Sequence, residues 1–310
     1  MALLKPSTWP EGPRRWWGAL FGTMAIMDER NLGLIAAGVG FFGMLATFPG
    51  IAALISIWGL VSDPSVIEAQ IELFSRFVPA QGLELISAQL HNLVTAQVET
   101  LSWTTALSTL LSLFWARSGM ASLIRGLNAA YREDHSASII MRNVTAIVIT
   151  LALVATMMVA LTAIIAIPVF LALVPLGPFA TVALQVARWL IVAAVMLFGL
   201  GFIYRYGPNR RAAKVPWVSP GALIAVVLWG LGSAAFAFYL ANFGRYNEVY
   251  GSLGAGVALL MWFYLSAYFI LLGAAINAEL ELRTLSDTTT GPPKPMGKRG
   301  AYVADTYVKP

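Results

Sequence analysis

The chain reads as an all-α polytopic membrane protein, with six transmembrane helices, an outer amphipathic helical hairpin, and both termini on the cytoplasmic side. Three observations lead there. The 310 residues are 58% hydrophobic and only 11% charged, whereas a soluble domain carries about 25% charged side chains. Several apolar runs without an ionisable group approach or exceed the roughly 20 residues that cross a bilayer. The lysines and arginines, finally, cluster at alternate ends of those runs, as orientation in a membrane requires.

Residues 1–30 place Trp9, Trp16 and Trp17 beside Arg14 and Arg15, the composition of a cytoplasmic helix lying in the headgroup region. A signal peptide would need a small-residue cleavage site, and Asp28-Glu29-Arg30 closes the segment instead. The first span, about 32–60, holds no ionisable side chain and is interrupted at Phe48-Pro49-Gly50. Its stretch Gly38-Val-Gly-Phe-Phe-Gly43 spells a dinucleotide-binding G-x-G-x-x-G, with Asp63 following at the spacing of a ribose-binding acid. That motif needs a strand, a tight turn and an amphipathic helix. Here apolar sequence flanks it on both sides, so the glycines read as close-approach positions between membrane helices.

Residues 62–100 form the outer hairpin. Ile67, Ile71, Phe74 and Val78 share one helical face, Leu83, Ile86, Leu90 and Leu93 another, and Pro79 and Gly82 break the two apart. Span two covers about 101–123 and carries Arg117. The uncharged run from Arg142 to Arg188 is too long for one crossing and divides at Pro175-Leu-Gly-Pro178. That gives span three at about 143–174 and span four at about 179–204. Spans five and six cover about 220–243 and 252–278. The tail, 282–310, is rich in Pro, Gly and Lys and is expected to be disordered.

Of the 20 lysines and arginines, Arg117 and Arg188 fall within spans and Arg76 and Arg245 outside, leaving sixteen on the inner side. The positive-inside rule then puts both termini in the cytoplasm. The net charge of +5 thus points to anionic phospholipid headgroups as partners, and not to nucleic acid. The sequence does not speak to oligomeric state.

No enzyme site, metal or cofactor is expected. The chain has no cysteine, its two histidines, His91 and His135, fall on opposite sides of the membrane, and no metal-ligand spacing occurs. Ser118-Gly119 lacks a nearby base. Ionisable groups inside a bilayer are expensive, so these are the functional candidates. Arg188 lies roughly 15 Å along span four, near the midplane, and Arg117 lies in the inner third of span two. Arg117, Ala121, Arg125 and Asn128 share a helical face expected to point into the bundle. Glu279 sits at the inner boundary of span six with Asn277 beside it. One reading pairs Arg117 or Arg125 with Glu279 as structural glue and leaves Arg188 on carbonyls or snorkelling. The other lines an anion-attracting cavity, open to the cytoplasm, with Arg117 and Arg188, and uses Pro49 and Gly50 as a helix break.

Residues Tyr246 to Glu281, "YNEVYGSLGAGVALLMWFYLSAYFILLGAAINAELE", are the most specific stretch of a wider pattern. With them go "FWARSGMASLIRGLNAAYRE", "GFIYRYGPNRR" and "WVSPGALIAVVLWGLGSAAFAFYL". Together these resemble the YihY / virulence factor BrkB family, once named ribonuclease BN, over roughly Asn31 to Glu281. In "GVGFFGMLATFPG", Phe42 and Thr47 stand where that family usually has Tyr and Ser. The resemblance implies six spans in a bacterial inner membrane with cytoplasmic termini. It implies motif positions of unknown role at Asn128, Tyr204, Pro208, Pro220-Gly221, Tyr250-Gly251, Trp262, Tyr264, Gly273 and Asn277. Members have been linked to envelope integrity, and a transport role is suspected. Two functions therefore stand: a transporter or lipid-handling protein for an anionic solute or headgroup, and a non-transporting envelope scaffold acting through its outer hairpin.

Overall fold

The computed structural model describes residues 13–61, 98–133, 143–152, 178–210, 218–242 and 252–308, and these are almost wholly helical. The helices are α1 (Pro13–Glu29), α2 (Leu32–Val61), α3 (Val98–Ala130), α4 (Asn143–Ala152), α5 (Pro178–Tyr206), α6 (Pro220–Asn242), α7 (Ser252–Leu282) and the short α8 (Tyr302–Asp305). Four of them contain stretches long and apolar enough to cross a membrane: Leu32–Gly50, Ala106–Ala130, Pro220–Leu240 and Gly256–Leu282. In α4 and in Leu190–Tyr206 of α5 the apolar helix is shorter within the described residues. The outer hairpin falls outside them, apart from Val98–Thr100, which begin α3.

The buried side chains say how the helices run. They lie at the start of α2 (Leu32, Ala36), the end of α3 (Ala121 to Ala130), the end of α5 (Leu200, Ile203, Tyr204), the start of α6 (Ala222, Ala225) and the end of α7 (Ala267 to Leu282), in one contiguous core. Starts and ends meeting in one core make α2 and α6 antiparallel to α3, α5 and α7. Arg30, Arg132, Arg205, Arg210 and Arg283 sit at these same helix ends. Elsewhere the helices expose apolar side chains such as Trp103, Leu110, Leu231 and Phe238, as a lipid-facing surface requires.

Between apolar helices in lipid, association rests on close packing, so small residues mark the contacts. A Cβ on Gly40 would stand 3.0 Å from the backbone nitrogen of Tyr264, and one on Gly43 3.3 Å from the Phe263 ring. The G-x-G-x-x-G stretch is therefore mid-helix and seats α7. The tightest approach joins α6 to α7: a Cβ on Gly221 would lie 2.0 Å from the Gly273 carbonyl oxygen.

Three expectations need correction. Helix α2 continues through Pro49 and Gly50 to Val61. A proline removes one backbone donor, but unwinding in lipid would orphan several, so the helix persists. Helix α1 is more than an interfacial float: Ala19, Thr23 and Ile26 are buried, with Ala19 packed against Ile276 and Leu280 of α7, while Trp17, Phe21 and Met24 remain exposed. The tail, finally, is folded through Val308. Composition underweights what a few ionic side chains can organise there. The Arg299 guanidinium donates to the carbonyls of Leu285, Ser286, Lys294 and Ala304. The Asp305 carboxylate accepts from the backbone nitrogens of Gly297, Arg299 and Gly300. Val303 is fully buried in the core, and the Val308 N–H donates to the Leu282 carbonyl at the end of α7.

Burial alone would raise the Asp305 pKa, but the backbone donors outweigh it and the value is lowered. A depressed carboxylate contributes stability that is present above its unfolded pKa and lost as pH falls through the folded one. Hydrogen-exchange protection of the Gly297, Arg299 and Gly300 amides should thus hold at neutral pH and collapse only below about pH 4, and Asp305→Asn should weaken it at neutral pH. In the bundle, Gly273→Ala should destabilise by about 1–3 kcal/mol or more through overpacking. Gly38→Ala, where a Cβ meets nothing within 4 Å, should instead be neutral or stabilising by up to about 1 kcal/mol. Thermal unfolding of the two variants in detergent would separate them, and equal losses would refute the close-approach reading.

Candidate functional site

The last turns of α7 carry Asn277, Glu279 and Glu281 at alternate positions. A helix turns 100° per residue, so Asn277 and Glu281 share a face and Glu279 points the opposite way. All three are buried. In a low-dielectric interior each then needs partners, and each has them.

Asn277 serves α6. Its Oδ1 accepts from the Gly221 backbone nitrogen at 2.9 Å and its Nδ2 donates to the Ser219 hydroxyl at 2.8 Å. Ser219 is itself the N-cap, accepting from Ala222 N at 3.2 Å, with Pro220 at the first helical position. Donors that water would otherwise satisfy are thus met by side chains. Tyr204 acts in the same way from α5, donating to the Ile270 carbonyl at 2.7 Å.

Glu279 faces α1 and the end of α3. Its Oε1 accepts from Arg132 Nη2 at 2.6 Å and its Oε2 from Arg283 Nη1 at 2.5 Å. Arg283 also donates to the Gly18 carbonyl at 2.8 Å. Room for this comes from α1: a Cβ on Gly22 would fall 2.1 Å from Glu279 Oε2, and one on Gly18 3.0 Å from Arg283 Nε. Arg132 closes α3 in the left-handed region, at φ 57°. Its N–H bonds Ala129 O at 3.1 Å and Glu133 N bonds Asn128 O at 2.9 Å, the ending in which glycine is usual. Glycine would relieve the backbone but supply no guanidinium for Glu279.

Glu281 faces the segment that follows α5. Gly207 and Pro208 stop that helix. A Cβ on Gly207 would press on Ile203 O at 2.5 Å and Leu127 at 2.6 Å. Asn128 Oδ1 then accepts from Asn209 N at 2.6 Å, and Arg210 reaches Glu281 through a two-pronged pair at 2.7 and 2.9 Å. Both side chains are almost fully buried, Thr288 donates to the same carboxylate at 2.5 Å, and the Arg210 guanidinium lies 5.0 Å from the Tyr131 ring centroid. Burial disfavours the charge on Arg210, but Glu281, by charge and by hydrogen bond, more than restores it, so its pKa is raised. Burial also pushes the Tyr131 hydroxyl well above its ordinary range, against an opposing pull from Arg210, and keeps it a neutral phenol.

Of the candidates named from sequence, Asn128, Asn277 and Glu279 come together at this end. Glu279 pairs with Arg132 and Arg283, not with Arg117 or Arg125 as expected. Arg117 donates to Asn143 Oδ1 on α4. Arg125 is exposed and folds back on its own helix, donating to Ala121 O at 3.2 Å and Ser122 Oγ at 3.1 Å. The face Arg117–Asn128 therefore does not point uniformly inward. Arg188 lies on α5 with its side chain outside the described residues, so a cavity shared with Arg117 falls there too. Glu281, Arg132, Arg210 and Arg283 were missed as site residues. The arginines had been read as topology markers, and the signal that could have found them is two acids ending an otherwise uncharged span.

These features define a multi-pass helical membrane protein whose helix ends are tied together by buried ion pairs. The chain belongs to the Virulence factor BrkB family, whose profile matches residues 23–297. It is 30% identical over 257 residues to the ribonuclease-like protein YfkH of Bacillus subtilis, covering 80% of this chain and 90% of that one. It is also 40% identical over 87 residues to a UPF0761 membrane protein of Xanthomonas campestris pv. campestris, a match spanning 28% of this chain and 20% of that protein. A UPF0761 membrane protein of Xanthomonas axonopodis pv. citri is 39% identical over 87 residues, with the same coverage. No solved structure matches.

Removing one partner of a buried pair strands the other charge, at about 3–5 kcal/mol. Arg210→Met and Glu281→Leu should each lower the unfolding temperature sharply, and the double variant should recover most of the loss. Additive losses in the double variant would show that the pair is not a unit.

Proposed function

We propose that the protein is a bacterial inner-membrane transporter or lipid-handling protein for an anionic solute or headgroup. It crosses six times with its arginine-bearing helix ends in the cytoplasm, and it performs no catalysis. The observation that supports this is the pair of buried carboxylates on α7. Glu279 and Glu281 join α7 to the end of α3, to the segment after α5 and, through Arg283, to α1. Well-packed apolar side chains often stabilise as much as a buried ion pair, and such pairs are best attested as devices of register and switching. Ion pairs that cross between helices can exchange partners when the helices rock, which is how a closed end opens in alternating access. The printed name of YfkH speaks of a ribonuclease. Against that activity here, each carboxylate has both oxygens engaged by arginine, a state unsuited to holding a catalytic metal.

The test is reconstitution into liposomes carrying a trace of fluorescent phosphatidylglycerol or phosphatidylcholine, with dithionite reporting transfer between leaflets, beside release of a trapped organic anion. Movement of an anionic species is expected, and the Arg210→Met/Glu281→Leu double variant should stay folded but lose it. If nothing moves, the transport reading fails and the scaffold acting through the 62–100 hairpin takes its place.

A further inference from the structure

Two sets of described arginines contrast. Arg132, Arg210 and Arg283 pair with carboxylates. Arg117 and Arg125 pair with none among the described residues, although both lie inside the candidate span Ala106–Ala130. At 100° per residue, Arg125 shares a stripe of α3 with Phe114, Leu110, Leu107 and Trp103, all strongly exposed. This is the lipid-facing side of the helix. Arg117 sits on the edge of the stripe, about 12 Å deeper along the axis, and its guanidinium meets Asn143 Oδ1 at the seam with α4.

A lone arginine facing lipid extends towards the nearest headgroups. Arg125 does the opposite: it reaches back along α3 to Ala121 O and Ser122 Oγ, in the direction of Arg117. Two guanidiniums with no carboxylate partner among the described residues thus lie along one seam, continuous with an exposed apolar stripe. Guanidinium recognises phosphate through its planar fork of donors, and the apolar stripe accommodates hydrocarbon. A soluble phosphate would use only the first of these features.

We propose that the α3–α4 seam binds an anionic phospholipid, its phosphate between Arg125 and Arg117 and an acyl chain along Phe114, Leu110 and Leu107. The site deepens the headgroup-handling reading and depends on it for its role in transfer, though not for binding.

The full-length protein, reconstituted in phosphatidylcholine bilayers with trace spin-labelled phosphatidylglycerol or phosphatidylcholine, gives the relative association of each lipid from the motionally restricted component of the spectrum. The anionic label should be preferred, by roughly fivefold for each arginine engaged. Arg117→Gln/Arg125→Gln should bring the preference close to unity, while Arg125→Lys should keep more of it than Arg125→Gln. Arg125 is exposed, so Arg125→Gln alone decides the matter if the Arg117 variant misfolds. An unchanged preference in Arg125→Gln overturns the site. Displacement of the label by millimolar inorganic phosphate overturns its assignment to lipid. Binding without transfer between leaflets removes the transport reading and leaves the site standing; transfer with an unaltered preference in Arg125→Gln does the reverse.

Discussion

Two carboxylates buried at the end of one helix set the terms for the rest of this molecule. Glu279 and Glu281 are only 3% and 6% exposed at the side chain, and a buried anion persists only with close, hydrogen-bonded cations around it. Because they project from opposite sides of α7, their partners must arrive from different elements. Arg132 comes from the left-handed ending of α3, Arg210 from beyond the Gly207-Pro208 stop of α5, and Arg283 from the residue that follows α7. Gly18 and Gly22 leave the space on α1 that Glu279 and Arg283 fill. Helix ends distant in sequence are thereby fixed at one level.

Around that charged layer, neutral polar groups solve a related problem. A helix that starts among other helices has backbone donors with no water to receive them. Ser219 and Asn277 meet those of α6, and their reach depends on the backbone contact between Gly221 and Gly273. Packing and polar satisfaction are therefore the same constraint here: one added methyl group would separate the helices and uncap α6 together. The folded tail extends the principle beyond the apolar region, with Arg299 and Asp305 gathering backbone groups that would otherwise need solvent, and with Tyr302 N donating to Glu133 at the end of α3.

The arginines then sort by what faces them. Arg132, Arg210 and Arg283, at the helix ends, meet acids and tie the bundle together. Those within α3 meet an amide, a hydroxyl, a carbonyl and the lipid side, where a cation's most available complement is a phosphate.

Much of this was legible in the chain. Hydropathy and charge spacing placed the starts of the four helices long and apolar enough to cross a membrane to within a few residues, and apolar flanks were enough to turn Gly40 and Gly43 from a phosphate loop into helix-packing positions. These are local properties, carried by each segment whatever its neighbours do. Partner choice is not local. Whether Glu279 meets Arg125 or Arg132 depends on how two helices are rotated against each other, and each residue of register turns a side chain by 100°. The same rotation left Arg125 exposed where spacing alone had placed it inward, and let α1 dock through Gly18 and Gly22. The sequence by itself determined which helices are apolar enough to enter a membrane and that Glu279, buried at the end of one of them, needs a cation; only the tertiary structure decided which charges satisfy one another, because that depends on distances between helices that no single helix contains.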